Sequence, residues 1–391
     1  MDTGAAIAGL GITDVGKVYG RSARSFAAEA VRLAADDAGL GLADLDGLLV
    51  SAGITGGIGI DLAQDLGLTD LRLLTQMNAF GATAGAMVAH AAMAVMSGTA
   101  SAVACVFADA PLRPGTSAGA AYGGRGGSAG EWHGLQGYAA AAGMRSVNAM
   151  YAMAARRHME TYGTTSEQFG AVAVGQRAWA AGNPRAQMRE PITLEDHQAS
   201  RWVAEPLHLL DCCLVSNGGV AVIVTSAERA AGLARPPAHV WGWGQGHPGQ
   251  RMTRGSAFGL RTGAVTSGAS AFKMAGITAA DVDVCEIYDC YTYTVVITLE
   301  DYGFCAKGEG GAFAASGALG PGGSLPTNTG GGQLSGFYMW GFTPLAEAVI
   351  QARGEGGERQ ADRHDVVLAS GNGGILAHHA TLILSPHVKG S

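Results

Sequence analysis

The apolar segments of this chain run through the same cycle twice, and no other feature restricts its fold as much. In the first cycle AIAGL (6–10) reads as a buried strand. Ser25 then precedes FAAEAVRLAADDAGL, a helical pattern stopped by Gly39, and DLDGLLV follows as a second strand. The helix AGAMVAHAAMAVMSG (84–98), the apolar run AVACVFA (102–108) and the strand GGVAVIVTS (218–226) complete the cycle. After Ala227–Pro237 the order restarts with AHVWGWG, GASAFKMAGI, VDVCEIY, TYTVVITLEDYG, TPLAEAVIQARGE, DVVLAS and ATLILS. Residues 26–50 and 267–288 agree in detail: each is a helix closed by Gly and then a D-x-D turn, Asp44–Asp46 or Asp281–Asp283, leading into a strand. Strands alternating with helices predict an α/β fold, and the repetition predicts an internal duplication. The expected halves are 1–232, with a Gly-rich region over about 109–205, and 233–391.

Composition narrows the function classes. A net charge of −7 with 25 dispersed Lys and Arg gives no basic footprint for nucleic acid. No run of eighteen apolar residues suggests a membrane span, and the opening MDTGAAIAGLGI lacks the pattern of a secretory signal, so a cytoplasmic setting is expected. Six cysteines are too few for a disulfide scaffold. Neither Cys285 with Cys290 nor His208 with Cys212 and Cys213 has a second ligand pair at zinc spacing, so no metal site is expected. GTSAG (115–119) and GGSAG (126–130) fit G-x-S-x-G only inside a Gly-rich loop, without the strand and helix that a nucleophile elbow needs.

Two stretches carry polar chemistry at places where α/β enzymes put ligands. NTGGGQLSGFYMWG (328–341) is a Gly-rich turn leading into aromatic residues, and EIYDCYTYT (286–294) sits at a strand end. Each reads either as a ligand pocket or as a packed aromatic cluster. Tyr288, Tyr291 and Tyr293 cannot all face the same way.

With both stretches in view, the chain resembles the thiolase superfamily, in its branch similar to the sterol-carrier-protein thiolases. The resemblance also covers FAAEAVRLAADDAGL with DLDGLLV, YGTTSEQF, NPRAQMREPIT and PLHLLDCCLVSNGGVAVIV. It implies a duplicated five-layer α-β-α-β-α architecture with two central mixed sheets. The thiolase catalytic residues are nevertheless replaced. Gly81 of NAFGATAG falls on the nucleophilic Cys, Tyr338 on the His of the N-x-x-G-G motif, and Tyr288 on the Asn or His of the N-E-A-F motif. The late Cys gives way to ASGNGG (369–374), and GHPG (246–249) is a decoy.

Without a thiolate there is no acyl-enzyme route. The pattern is similar instead to the steroid side-chain aldolases of the superfamily. The resemblance therefore implies retro-aldol cleavage of a β-hydroxyacyl-CoA to a ketone and a short acyl-CoA such as propionyl-CoA, with Tyr288 and Tyr338 as the proton-transfer groups. Phe80, Gly81, Gly332, Asn372 and Gly374 are the expected substrate-binding positions, with Gly81 as a pocket floor where the missing side chain leaves room. Coenzyme A enters as part of the substrate and no covalently bound cofactor is expected. The resemblance further implies a homodimer and a small OB-fold and zinc-ribbon partner, together a heterotetramer. Two competing readings are an acyltransferase using another nucleophile, for which only Cys290 lies near a motif, and a non-catalytic subunit that binds lipid-CoA.

Overall fold

The computed structural model describes residues 4–117, 119, 141–144, 146–249 and 255–390; GGSAG (126–130) lies outside them. In the first half, β1 (Ala5–Ile12), α1 (Ala23–Ala38), β2 (Gly47–Ala52), β3 (Leu73–Gln76), α2 (Thr83–Met96), β4 (Ala102–Asp109) and β5 (Gly218–Ser226) form one unit, into which α3 (Val147–Tyr162) and α4 (Ser166–Ala181) are inserted. The second half contributes β6 (Ala238–Gly246), α5 (Ala264–Ala275), β7 (Val284–Ile287), α6 (Thr292–Tyr302), α7 (Phe342–Ala352), β8 (Val367–Gly373) and β9 (His378–Ser385). The strand order is β3-β2-β4-β5-β1-β6-β9-β8-β7. Read outward from its centre, each half repeats the same sequence of strands. The one without a named counterpart, β3, is matched by an isolated parallel bridge from Cys285 to Thr327.

This is the duplicated five-layer architecture that the resemblance implies, with one addition. The two half-sheets are hydrogen-bonded into one nine-stranded sheet through a seam of three residue pairs, Ala5–Ile7 against Ala238–Val240. Helix α1 covers the outer face of the first half and α5 that of the second, while α2 and α7 pack against strands of both halves and against each other.

Local signals explain these elements. The Ser22 side chain caps α1 by accepting from the Ser25 N–H, and Gly39 ends it in the left-handed region at φ 71°. Close approach of helix to strand accounts for glycines in both halves. A Cβ at Gly11 would stand 2.1 Å from the Ala30 carbonyl oxygen of α1, and one at Gly244 would stand 2.1 Å from the Ser267 carbonyl oxygen of α5.

The halves are latched as well as seamed. Arg353, after α7, donates to Asp37 Oδ2 at 2.8 Å and to the Ala8 carbonyl at 2.8 Å. The inserted helices belong to the first half in sequence but lean on the second. Helix α4 packs on α6 and on the turn Gly332–Gly336, and buried His158 of α3 meets buried Glu300 of α6 at 3.0 Å.

Candidate active site

Strand β7 ends at Glu286-Ile287, and the Tyr288 N–H continues its pairing by donating to the Ser370 carbonyl of β8 at 3.0 Å. The chain then turns into α6, which sends the tyrosines of the motif in different directions. Tyr291 Oη donates to Asn148 of α3 and Tyr293 Oη to the Gly259 carbonyl at 2.9 Å. Tyr288 points inward, where its Oη lies 3.1 Å from that of Tyr338, in a hydrogen bond. The two tyrosines chosen from sequence thus meet directly, although 50 residues separate them. Tyr288 is buried and Tyr338 partly exposed.

Tyr338 is positioned by the turn before it and the helix after it. Its N–H donates to Ser216 Oγ at 3.0 Å, and the same oxygen accepts from Gln187 Nε2 at 2.7 Å. Ser216→Ala strands two donors in a region where Ser216 is only 1% exposed. The expected result is a loss of about 1–3 kcal/mol in stability, read by denaturant titration, with a several-fold drop in turnover.

Gly81 opens α2 directly beneath this pair. A Cβ there would stand 2.3 Å from Cε2 and 2.5 Å from Cζ of Tyr288, and 2.1 Å from the Asn372 carbonyl oxygen. The expectation that a missing side chain leaves room for substrate is therefore corrected, because the Tyr288 ring already fills that room. The approach is held close by further glycines. Cβ atoms at Gly341 and Gly371 would stand 2.1 and 2.5 Å from the Gly81 carbonyl oxygen, and one at Gly373 2.2 Å from that of Ala79.

The chain leads into α2 and into α7 through copies of one local structure. In Asn78-Ala79-Phe80-Gly81-Ala82-Thr83 the Ala79 N–H donates to Thr83 Oγ1 at 2.7 Å. In Tyr338-Met339-Trp340-Gly341-Phe342-Thr343 the Met339 N–H donates to Thr343 Oγ1 at 2.9 Å. Phe80 and Trp340 both adopt positive φ, 53° and 49°, and their ring centroids are 5.9 Å apart. Left-handed backbone at bulky residues is costly and is a mark of functional sites. The signal was present in the sequence as a repeated aromatic-Gly-x-Thr.

The remaining expected positions divide. Phe80 is 47% exposed and stacked on His378 at 6.4 Å. Gly374, at φ 63°, starts a turn in which Ile375 and Leu376 are also left-handed. Asn372 borders Gly81 by its carbonyl only. Side chains alternate along a strand, so its amide lies on the face opposite Gly371 and Gly373, where both of its polar atoms are buried and unpaired. Gly332, at φ 56°, adjoins Asp289 instead of the phenols, since a Cβ there would stand 2.2 Å from Asp289 Oδ2.

Sequence reasoning missed Asp289, which accepts from the Gln333 N–H at 2.9 Å and the Leu334 N–H at 3.2 Å. Burial lifts this carboxyl up to about 7, against the pull of those two N–H groups. Arg177, from α4, was also missed; it holds the same turn by donating to Ser335 Oγ at 2.8 Å.

The cysteines near the motifs are poor nucleophiles. Burial pushes the Cys290 thiol up to about 12 and that of Cys285 well above its usual range. The arrangement offers paired phenols for proton transfer and no ready thiolate.

Residues 244–386 match the thiolase C-terminal domain-like family. A steroid side-chain-cleaving aldolase of Thermomonospora curvata is 41% identical over 375 residues, covering 94% of this chain and 95% of that protein. The 17-hydroxy-3-oxo-4-pregnene-20-carboxyl-CoA lyase of Mycobacterium tuberculosis is 40% identical over 374 residues, covering 94% of this chain and 96% of the relative. Among solved structures, the Ltp2-ChsH2(DUF35) aldolase superposes with a TM-score of 0.85 at 38% identity, covering 98% of both chains.

Proposed function

The chain belongs to the steroid side-chain-cleaving aldolases of the thiolase superfamily, and from that premise we propose that it cleaves a steroid side-chain β-hydroxyacyl-CoA, a 17-hydroxy-acyl-CoA, to a ketone and propionyl-CoA. The observation that carries the reading is the 3.1 Å hydrogen bond between the Tyr288 and Tyr338 hydroxyls. A retro-aldol step breaks the bond between the α and β carbons. The β-hydroxyl loses its proton as the ketone forms, the thioester carbonyl takes up charge as an enolate, and the α carbon then gains a proton. No proton is gained or lost overall. Two phenols in contact suit this balance: one takes the hydroxyl proton and the pair passes a proton to the enolate.

Tyr338 is the proposed base, since it is the partly exposed member of the pair, and Tyr288 the acid. Phe80 and Gly374 border the substrate in this reading, backbone N–H groups of the Gly-rich loops hold the enolate oxygen, and the only coenzyme needed is the coenzyme A of the substrate. Incubating the protein, with and without a small partner subunit, with β-hydroxyacyl-CoA thioesters tests the proposal. Ketone and propionyl-CoA are expected in equal amounts. Thiolysis of a β-ketoacyl-CoA by the wild-type protein, or no cleavage in the presence of the partner, overturns it.

The proposed assembly is a homodimer joined to a small OB-fold and zinc-ribbon subunit in a heterotetramer, in the cytoplasm. Two observations support it. The structural relative, the Ltp2-ChsH2(DUF35) aldolase, is named for two components. Strand β3 ends the sheet beside β2 and turns Leu74, 39% exposed, to solvent. Sedimentation at micromolar concentration is expected to give a dimer. A monomer, with no small subunit co-purifying from the native source, contradicts this assembly.

A further inference from the structure

Asp289 is adjacent in sequence to one phenol and grips the turn that leads to the other. Its carboxylate reaches 44 and 45 residues along the chain to accept from the Gln333 and Leu334 N–H groups. The turn it holds, Gly332–Gly336, runs into Phe337 and Tyr338. Further upstream the two motifs are also joined, by the Ile287 N–H donating to Asn328 Oδ1 at 2.7 Å and by the Thr329 N–H and hydroxyl donating to Glu286 at 3.1 and 2.8 Å; Asp289 alone of these carboxylates grips the turn itself. The rest of the turn is fastened from outside the pair. Arg177 donates to Ser335 Oγ, the Leu214 N–H to the Gln333 carbonyl at 2.9 Å, and the Met188 and Gln187 N–H groups to the Ser335 and Gly336 carbonyls at 3.0 Å each.

The surroundings of Asp289 are polar yet sealed. It is fully buried, as is Gln333, and the nearly buried Gln176 amide beside it favours its charged form. The Gln176 amide oxygen stands beside Gly332, 3.0 Å from where a Cβ would be, near Asp289 Oδ2. The titratable groups near Asp289 are Glu286 on β7, Cys290 on its own segment and Cys213 ahead of β5, and Arg185, Glu347 and Arg359 line the same cavity. Glu286 disfavours a second negative charge, whereas the nearby arginines are engaged elsewhere, Arg359 with Glu347 at 2.8 Å and Arg177 with Ser335 Oγ at 2.8 Å.

We propose that Asp289 is a positioning residue of the aldolase, whose ionised carboxylate sets the separation of the two phenols by holding both N–H groups of the turn, and whose protonation releases Tyr338. The inference rests on the retro-aldol reading for its kinetic consequence, but its structural half stands apart from it. Both N–H groups reach Oδ2 and that of Gln333 is shared with Oδ1 at 3.0 Å, so a proton on Oδ1 removes this branch and leaves the remaining bonds without the charge that strengthens them. Burial raises this acid, which places the change near pH 7. The stability effect has the opposite sign. A carboxyl raised in the folded state binds its proton more tightly there, so global stability falls as pH rises from about 4 to about 7, while the grip on the turn tightens.

The test combines kinetics with amide exchange on the aldolase in its complex. For the wild type, turnover is expected to rise with pH through a midpoint near 7. D289N should lower kcat about tenfold or more, leave KM within about twofold, and flatten that limb. An unaltered acid limb in D289N overturns the proposal, as does wild-type kcat. Hydrogen exchange of the Gln333 and Leu334 amides, corrected for intrinsic rates, needs no substrate and no variant. Their protection should increase at least several-fold between pH 6 and pH 8 relative to the neighbouring α7 amides. Equal protection at the two pH values refutes the clamp even if cleavage is confirmed. A pH-dependent clamp in a protein that cleaves nothing would leave the clamp standing and sink the aldolase reading alone.

Discussion

Tyr338→Phe and Tyr288→Phe are each expected to lower the cleavage rate by about 10²–10⁴, the usual contribution of a positioned proton-transfer group. Phenylalanine keeps the ring and its packing, while the substitution removes the hydroxyl and with it the 3.1 Å bond between the pair. Stability should therefore change little and KM should move less than kcat. Because the two hydroxyls share one proton path, the effects should not add: the double variant should fall to about the level of the worse single variant. Steady-state kinetics of the three variants, with ketone release as the readout, checks this. Near wild-type rates in both single variants would exclude the proposed chemistry. If one variant alone retains activity, that tyrosine is structural and the other works with water or a neighbouring polar group.

Gly81→Cys is the second large effect, and it runs against the intuition that restoring a thiolase residue restores thiolase chemistry. The new Cβ would stand 2.3 Å from the Tyr288 ring and 2.1 Å from the Asn372 carbonyl oxygen. Neither can give way cheaply, since Tyr288 is buried and Asn372 lies in β8. Overpacking of this kind typically costs about 1–3 kcal/mol. Displacing a catalytic group by about an ångström can cost a factor of about 10² in rate. The expected outcome is an unfolding midpoint several degrees lower, aldolase activity down by about 10² or more, and no thiolysis. A Gly81→Cys protein of normal stability and normal cleavage would show that the Tyr288 ring is not held over Gly81.

How far the sequence could be read depended on the distance over which each feature is determined. The duplication was legible because helical and strand periodicities, the caps at Ser22 and Gly39, and the D-x-D turns are local. The tyrosine pair was legible only through the resemblance, whose two motifs place Tyr338 and Tyr288 on the thiolase His and Asn or His positions. The direction of the Tyr288 ring is a tertiary fact, so the sequence showed a vacancy at Gly81 where the fold has none. Asp289, Arg177 and Ser216 act on partners 44, 158 and 122 residues away and carry no motif of their own. Nor does periodicity reveal that α3 and α4, encoded in the first half, lean on the second.

The Arg353 latch spans 316 residues to Asp37 and 345 to Ala8, and the β1–β6 seam ties together strands more than two hundred residues apart. Contacts this remote close late, because the loop entropy must be met before the contact offsets it. Each half can collapse around its own helices first, whereas the site needs Gly81 from one half beneath Tyr288 from the other. Catalytic competence is thus a property of the docked pair. On refolding from denaturant, helical and strand signals should return in an early phase, and cleavage should return only in a slower one that Arg353→Ala lengthens further.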